Sequence, residues 1–228
     1  FFPNDCHITP AKFVEGLTRF LELRGVRLVR NAEVTGFGIA GGRIASVKTS
    51  SGEIQGEEFI LAGGSWSPVI ARKLGIKLPV QAGKGYSITI RRTERKPAIP
   101  MILTEARVAL TPMGDTFRVA GTMEIAGLDL SITQRRVDAI LNAVPNYIGG
   151  FSPSDFAGGQ VWAGLRPVSP DGVPFIGRFK RYPNLIAATG HAMVGISLAT
   201  VTGKVVSEIA LGEKPAFDMQ LLSPDRFN

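Results

Sequence analysis

Residues 184–204 read Asn184-Leu-Ile-Ala-Ala-Thr-Gly-His-Ala-Met-Val-Gly-Ile-Ser-Leu-Ala-Thr-Val-Thr-Gly-Lys204. An apolar run over 185–188 has the length and texture of a strand, Gly190 and Gly195 mark a tight turn, and a helix is expected over 196–211. Small residues let the backbone approach a ligand closely. The first turn of a helix presents N–H groups without intrahelical partners and the positive end of the macrodipole. Such a turn can receive a group that gains negative charge. A second reading stands beside it: a plain strand–turn–helix connection whose glycines serve backbone geometry alone.

Two other stretches share this texture. Phe59-Ile-Leu-Ala-Gly-Gly-Ser-Trp-Ser67 begins as a short continuous apolar run, the pattern of a strand buried on both faces, and a helix follows over 69–74. Its glycines suit either close passage of an extended ligand or an ordinary turn. Trp162-Ala-Gly-Leu-Arg-Pro-Val-Ser-Pro-Asp-Gly-Val-Pro-Phe-Ile-Gly177 reads as a stiff, proline-rich loop carrying Arg166. A guanidinium held by rigid neighbours can grip a carboxylate through two parallel hydrogen bonds. Equally, Arg166 could pair with a structural acid.

Working outward, Thr9-Pro10 resembles a helix start, Phe13, Leu17, Phe20 and Leu21 recur at helical spacing, and Gly25 ends the run. A strand is expected over 26–29, then a meander with turns at Gly41-Gly42 and Ser51-Gly52. From residue 81 to 155 strand-like stretches (86–90, 108–111, 117–120) alternate with polar turns, with one helix over 131–144. The expected organisation is an α/β (α+β) chain in three segments: 1–80, an inserted antiparallel β-rich layer over 81–160, and a return over 161–228.

Of 228 residues 44% are hydrophobic and 20% charged, an ordinary globular balance. The net charge of +7 is scattered; its densest cluster, Arg91, Arg92, Arg95 and Lys96, reads as a solvated loop, so nucleic acid is not an expected partner. Cys6 is the only cysteine and His7 and His191 the only histidines, which excludes an intrachain disulfide and argues against a zinc site; no metal is expected. A thiol-poor chain suits a reducing compartment, and no apolar run reaches the length of a membrane span.

Four segments, Leu61-Ala-Gly-Gly-Ser-Trp-Ser67, Gly83-Lys-Gly-Tyr-Ser87, Gly164-Leu-Arg-Pro-Val-Ser-Pro-Asp-Gly172 and Thr189-Gly-His-Ala-Met-Val-Gly195, resemble in order the C-terminal part of the D-amino-acid oxidase superfamily. Their pattern is most like the bacterial D-amino-acid dehydrogenases and glycine oxidases. The resemblance implies a partial Rossmann-like FAD-binding domain with a β-rich substrate domain. It implies that Arg166 holds an amino acid carboxylate, with Tyr86 a further substrate-pocket candidate. Val34 would lie near the adenine, Ala62, Gly63 and Trp66 along the cofactor, and Gly164, Gly190, His191, Ala192, Met193, Val194, Gly195 and Ile196 about the flavin. The implied reaction is hydride transfer from the α-carbon of a D-amino acid or small secondary amino acid to flavin N5, followed by imine hydrolysis in water. No catalytic base is assigned, and His191 is expected to shape the flavin edge. Relatives that tether flavin covalently do so through a cysteine within the segment aligned with 164–172; none stands there, so FAD is expected to be noncovalent.

The chain opens on Phe1, and the opening strand and Gly-x-Gly-x-x-Gly turn that hold the FAD pyrophosphate in this superfamily do not occur near it. They are expected in a missing N-terminal segment or a partner subunit. The alternative is a non-catalytic chain that needs such a partner. A quinone or oxygen as electron acceptor, and a cytoplasmic location or peripheral placement on the cytoplasmic face of a membrane, are the remaining implications of the resemblance.

Overall fold

The computed structural model describes Pro3, residues 6–91 and residues 96–227. In chain order the elements are α1 (Pro10–Leu23), β1 (Val34–Ala40), β2 (Arg43–Thr49), β3 (Gly52–Gln55), β4 (Phe59–Leu61), α2 (Ser67–Arg72), β5 (Gln81–Arg91), β6 (Met101–Leu103), β7 (Val108–Met113), β8 (Thr116–Ile125), α3 (Gln134–Ala143), β9 (Gln160–Val168), β10 (Phe175–Arg178), β11 (Leu185–Thr189) and α4 (Gly195–Ala210). They group into two compact units: Leu28–Gly83 with Arg166–Asn228, and Phe1–Arg27 with Lys84–Leu165.

In the first unit β11 pairs parallel with β4 and antiparallel with β10. The sheet is covered on both faces, which explains the unbroken apolar run that marks β11. Leu185 and Ala187 point into a core with Ile44, Leu61, Leu74 and Phe175. Ile186 points the other way, against Ile176, Val205 and Val206. The meander β1–β2–β3 is fastened to this sheet by Asn184, which is fully buried. Its Oδ1 accepts the Ile44 N–H at 3.1 Å, and its Nδ2 donates to the Ile44 carbonyl at 2.7 Å and the Glu57 carbonyl at 2.9 Å. Gly36-Phe-Gly-Ile-Ala-Gly41 has the literal spacing of a nucleotide-binding turn, but it lies on β1 and its hairpin, with strand β2 following instead of a helix.

The second unit is a five-stranded sheet in the order β6-β7-β8-β5-β9. Its core face follows the two-residue period of a strand: Tyr86, Ile88 and Ile90 on β5, Val108 and Leu110 on β7, Phe117 and Val119 on β8. Val137, Ile140 and Val144, at helical spacing, meet them.

Several expectations need correction. The stretch 26–29 is not a strand; Val26, Leu28 and Val29 are exposed and no described strand pairs with them. Trp162 to Val168 is not a loop but part of β9. Because β9 is the edge of its sheet, Pro167 fits there without breaking a ladder bond. The helix expected after Pro10 is present as α1, and its apolar residues Phe13, Leu17 and Phe20 are exposed. In the basic cluster, Arg91 ends β5, Lys96 donates to the Gly114 carbonyl, and Arg92 and Arg95 lie outside the described residues.

Candidate functional site

β4 and β11 run in the same direction, with Leu185 opposite Phe59 and Ala187 opposite Leu61, so both chains leave the sheet at one end. Beyond β4 come Ala62, Gly63 and a tight turn over Gly64–Trp66; beyond β11 come Gly190 and the turn leading to α4. Two buried hydroxyls bind these exits together. Ser67 Oγ donates to Thr189 Oγ1 at 3.1 Å, and Thr189 Oγ1 donates to the Gly64 carbonyl at 3.1 Å. The carboxyl ends of parallel strands are where open α/β sheets receive ligands.

The backbone here is unusual. Gly190 has φ +83°, and a side chain on it would also meet the Phe175 ring at 3.1 Å. Ala192 has φ +47°, a left-handed conformation rare for a residue with a Cβ. It is held there because its N–H donates to the Pro167 carbonyl at 2.8 Å, while His191 pairs with Val168. The end of β9, which carries Arg166, is thus fastened directly to the glycine turn. Arg166 is partly buried, and burial pulls its pKa down from the usual guanidinium value.

No side chain caps α4 and no acid occupies its first turn, so the positive end of its dipole stays uncompensated. Around it Trp66, Met193, Val194 and Ile196 expose large apolar surfaces. His191 Nε2 lies 3.0 Å from Thr202 Oγ1, and burial lowers its pKa, which keeps the imidazole neutral. The Ser65 and Ser169 hydroxyls are buried without a hydrogen-bond partner among the described residues. Val34, Ala62 and Gly63 meet at an apolar cavity of about 360 Å³, with Phe37, Val47 and Ile70 among its walls.

The structure therefore collects Val34, Ala62, Gly63, Trp66, Arg166 and the 190–196 turn within one unit. Gly164 and Tyr86 belong to the other. At Gly164 a Cβ would stand 2.7 Å from Trp162 Cζ3, so the tryptophan ring accounts for the glycine. Tyr86 is 1% exposed and packs in the core, its hydroxyl donating to Glu124 Oε2 at 2.8 Å. The strand period turns its ring inward, against the core of the five-stranded unit. Sequence reading missed Ser65, Ser169, Thr189 and Thr202, small hydroxyl residues with no pattern that separates them from turn formers. It also missed Arg226, near the chain's end. Its Nε and Nη2 donate to the two carboxylate oxygens of Asp171 at 2.9 and 2.8 Å, and Nη2 also donates to the Val173 carbonyl at 2.6 Å. Its guanidinium carbon lies 3.8 Å from the centroid of the Phe175 ring. That ring is the one against Gly190, so Arg226 braces the turn from behind.

Among the described residues no group of three or more His, Cys, Asp or Glu could hold a metal, and no helix is long and apolar enough to cross a membrane. Residues 1–209 match the sequence model of a family described as "FAD dependent oxidoreductase", DAO. The D-amino acid dehydrogenase of Rhizorhabdus wittichii is 36% identical over 229 residues, covering 99% of this chain and 54% of that protein. That of Vibrio vulnificus is 37% identical over 213 residues, covering 92% and 49%. The chain thus spans about half the length of these relatives. Glycine oxidase from Bacillus cereus superposes with a TM-score of 0.82 at 22% identity, over 95% of this chain and 60% of that one. L-proline dehydrogenase from P. horikoshii gives 0.82 at 23% identity, over 96% and 59%. At such identities these two likenesses speak to fold alone.

Proposed function

The chain belongs to the DAO family of FAD-dependent oxidoreductases, with a mixed α/β fold like that of its Rossmann-type members, and from that premise we propose that the unit carrying the glycine turn binds FAD noncovalently while Arg166 grips the carboxylate of an amino acid undergoing oxidation at its C–N bond. The supporting observation is that Ala62, Gly63 and Trp66 after β4 and residues 190–196 after β11 lie at one end of a parallel strand pair, beside an uncapped helix.

The residues present fit such a cofactor. An apolar cavity at Val34, Ala62 and Gly63 suits an aromatic base. Ser65 and Ser169 bring buried hydroxyls that need partners. Exposed Trp66, Met193, Val194 and Ile196 offer apolar area to a planar ring system. Bound FAD supplies the hydride acceptor, a capacity that no side chain has.

What the chain's own residues do is position and solvate. Arg166 fixes the substrate carboxylate and so aims the α-carbon. The first turn of α4 and the Ala192–Ile196 backbone favour a neighbouring group that becomes anionic. His191, neutral and tied to Thr202, shapes the turn and is not read as a base. We assign Gly164 to the packing of Trp162 and Tyr86 to the core. Residues 28–83 and 166–228 then form the cofactor part and 84–165 the substrate part. The names of the curated relatives favour a D-amino acid over a secondary amine as substrate.

The test is the visible absorption spectrum of the protein supplied with FAD, before and after anaerobic addition of D-alanine. Bleaching of a bound flavin is expected, and reoxidation with oxygen or with a soluble quinone identifies the acceptor. Bound flavin that no D-amino acid, glycine, sarcosine or proline bleaches would refute the substrate class. Arg166→Lys should lower kcat/KM by about 30-fold or more, from the loss of a charge-assisted fork worth about 2 kcal/mol. An unchanged kcat/KM would remove Arg166 from the site. A second reading, that a complementary polypeptide must associate before flavin binds, is favoured by the exposed apolar residues of α1. Failure to bind FAD alone, with recovery on adding such a polypeptide, would select it.

A further inference from the structure

In the five-stranded unit the sheet face opposite the core carries a second constellation. Neighbouring strands β8, β5 and β9 place Arg118, Thr89 and Trp162 together there, on the wall of a cavity of about 1130 Å³. The arginine is held in one pose: its Nε donates to Thr89 Oγ1 at 3.0 Å, and its guanidinium carbon lies 5.5 Å from the Trp162 ring centroid. The tryptophan is held too, since its ring lies across Gly164, where a Cβ would come within 2.7 Å. Despite this anchoring the indole remains 43% exposed.

Arg118 forms no ion pair with a described carboxylate, and Nη1 and Nη2 make no hydrogen bond to a described residue. A partly desolvated guanidinium normally acquires an acidic partner. Burial also pulls its pKa down, as expected of a cation short of counter-charge. The cavity wall carries Lys12, Arg91 and Arg118 against Asp115 and Asp155. Of the two acids, Asp155 already accepts the Ser152 N–H at 2.6 Å. The local balance therefore favours an anion. The open pair of nitrogens matches the two oxygens of a carboxylate, and the adjoining indole offers a flat apolar surface to what bears it.

We propose that this cavity is a binding site for a small aromatic carboxylate, with Arg118 as its anchor and Trp162 as its stacking wall. Binding at this cavity needs no cofactor. Isothermal titration of the full chain, without FAD, should show saturable one-to-one binding of phenylacetate. Phenylacetamide, of the same shape without the charge, should bind about tenfold more weakly or worse, as should phenylacetate to Arg118→Gln, given what a hydrogen bond to a charged group is worth. Arg118→Lys, which keeps the charge but loses the fork, should fall between, and Trp162→Leu should weaken phenylacetate more than acetate. Arg166→Met should leave binding unaltered, which separates this cavity from the proposed substrate arginine. Equal binding of acid and amide, full affinity in Arg118→Gln, or loss of binding in Arg166→Met would each overturn the assignment.

Discussion

Replacing Arg226 by Met keeps much of the stem and removes the planar charge. In the wild-type chain the guanidinium holds both oxygens of Asp171 and the Val173 carbonyl, and Nη1 also donates to the Pro174 carbonyl at 3.3 Å and the Ser223 carbonyl at 3.1 Å. The arginine side chain is 11% exposed and the Asp171 side chain 36%. Removing one partner of a fully buried pair costs about 3–5 kcal/mol, because the other charge is left uncompensated. Here water reaches part of the carboxylate and can resolvate it, but three carbonyls lose a donor and Phe175 loses its stacking cation. These offset one another, and the expected loss is about 3 kcal/mol, a fall of about 6–12 °C in Tm for a chain of this size. Asp171→Asn should cost less, because the three carbonyl bonds survive. The pH dependence adds an independent check. The Arg226 hydrogen bonds hold the Asp171 carboxyl at about 2, below its ordinary range. A depressed carboxyl stabilises the fold fully above its unfolded pKa of about 3.9, and that stabilisation fades as pH falls through the folded value. Urea unfolding of wild type and Asp171→Asn should therefore converge in stability as pH drops from about 4 toward 2. A loss below about 0.5 kcal/mol in Arg226→Met, the range of ordinary surface substitutions, would refute the clamp. So would a wild-type advantage over Asp171→Asn that does not vary across that pH window.

Two further outcomes follow from the same coordinates. Gly159→Ala would place a Cβ 2.7 Å from Ile88 Cγ2 and 2.9 Å from Ile90 Cγ2, with the Phe156 carbonyl at 3.0 Å. It should destabilise the chain by about 1–3 kcal/mol in urea unfolding, as overpacking does, and an unchanged midpoint would show that the core yields freely. Burial lowers the pKa of His191, so its contribution is present above the unfolded pKa and is lost as pH falls. Relative to His191→Gln, wild type should lose stability between about pH 7 and 5, and a gain over that interval would contradict the buried neutral imidazole.

The elements that sequence alone revealed are those whose signal is local. The Gly41-Gly42 and Ser51-Gly52 hairpins, the doubly buried β11 and the amphipathic α3 each declare themselves within a dozen residues. What escaped depends on neighbours. The 26–29 run has the composition of a strand, but a strand exists only where another pairs with it. Trp162 to Val168 has the composition of a loop, yet an edge position forgives Pro167. Tyr86 could face either side of β5 until the register of that strand is known. In the candidate site, the glycine turns and Arg166 were legible as punctuation and as an isolated charge. The Thr189–Ser67 bridge and the Arg226 clamp join residues 122 and 55 positions apart, and no local pattern announces such pairs.

Asn184 also dictates an order of assembly. The residue it fastens, Ile44, lies 140 positions earlier in the chain. Closing a flexible loop of that length costs about 4 kcal/mol in chain entropy. The cost falls if residues 84–165 fold first, for a compact unit shortens the segment that must be closed. During synthesis the meander and β4 emerge before β11, so neither the β4–β11 pairing nor the Asn184 fastening can form until residues 84–165 have been made. The meander is thus made before the strand that fastens it, and until that strand arrives Ile44 and its apolar neighbours lack their core partners and are open to aggregation.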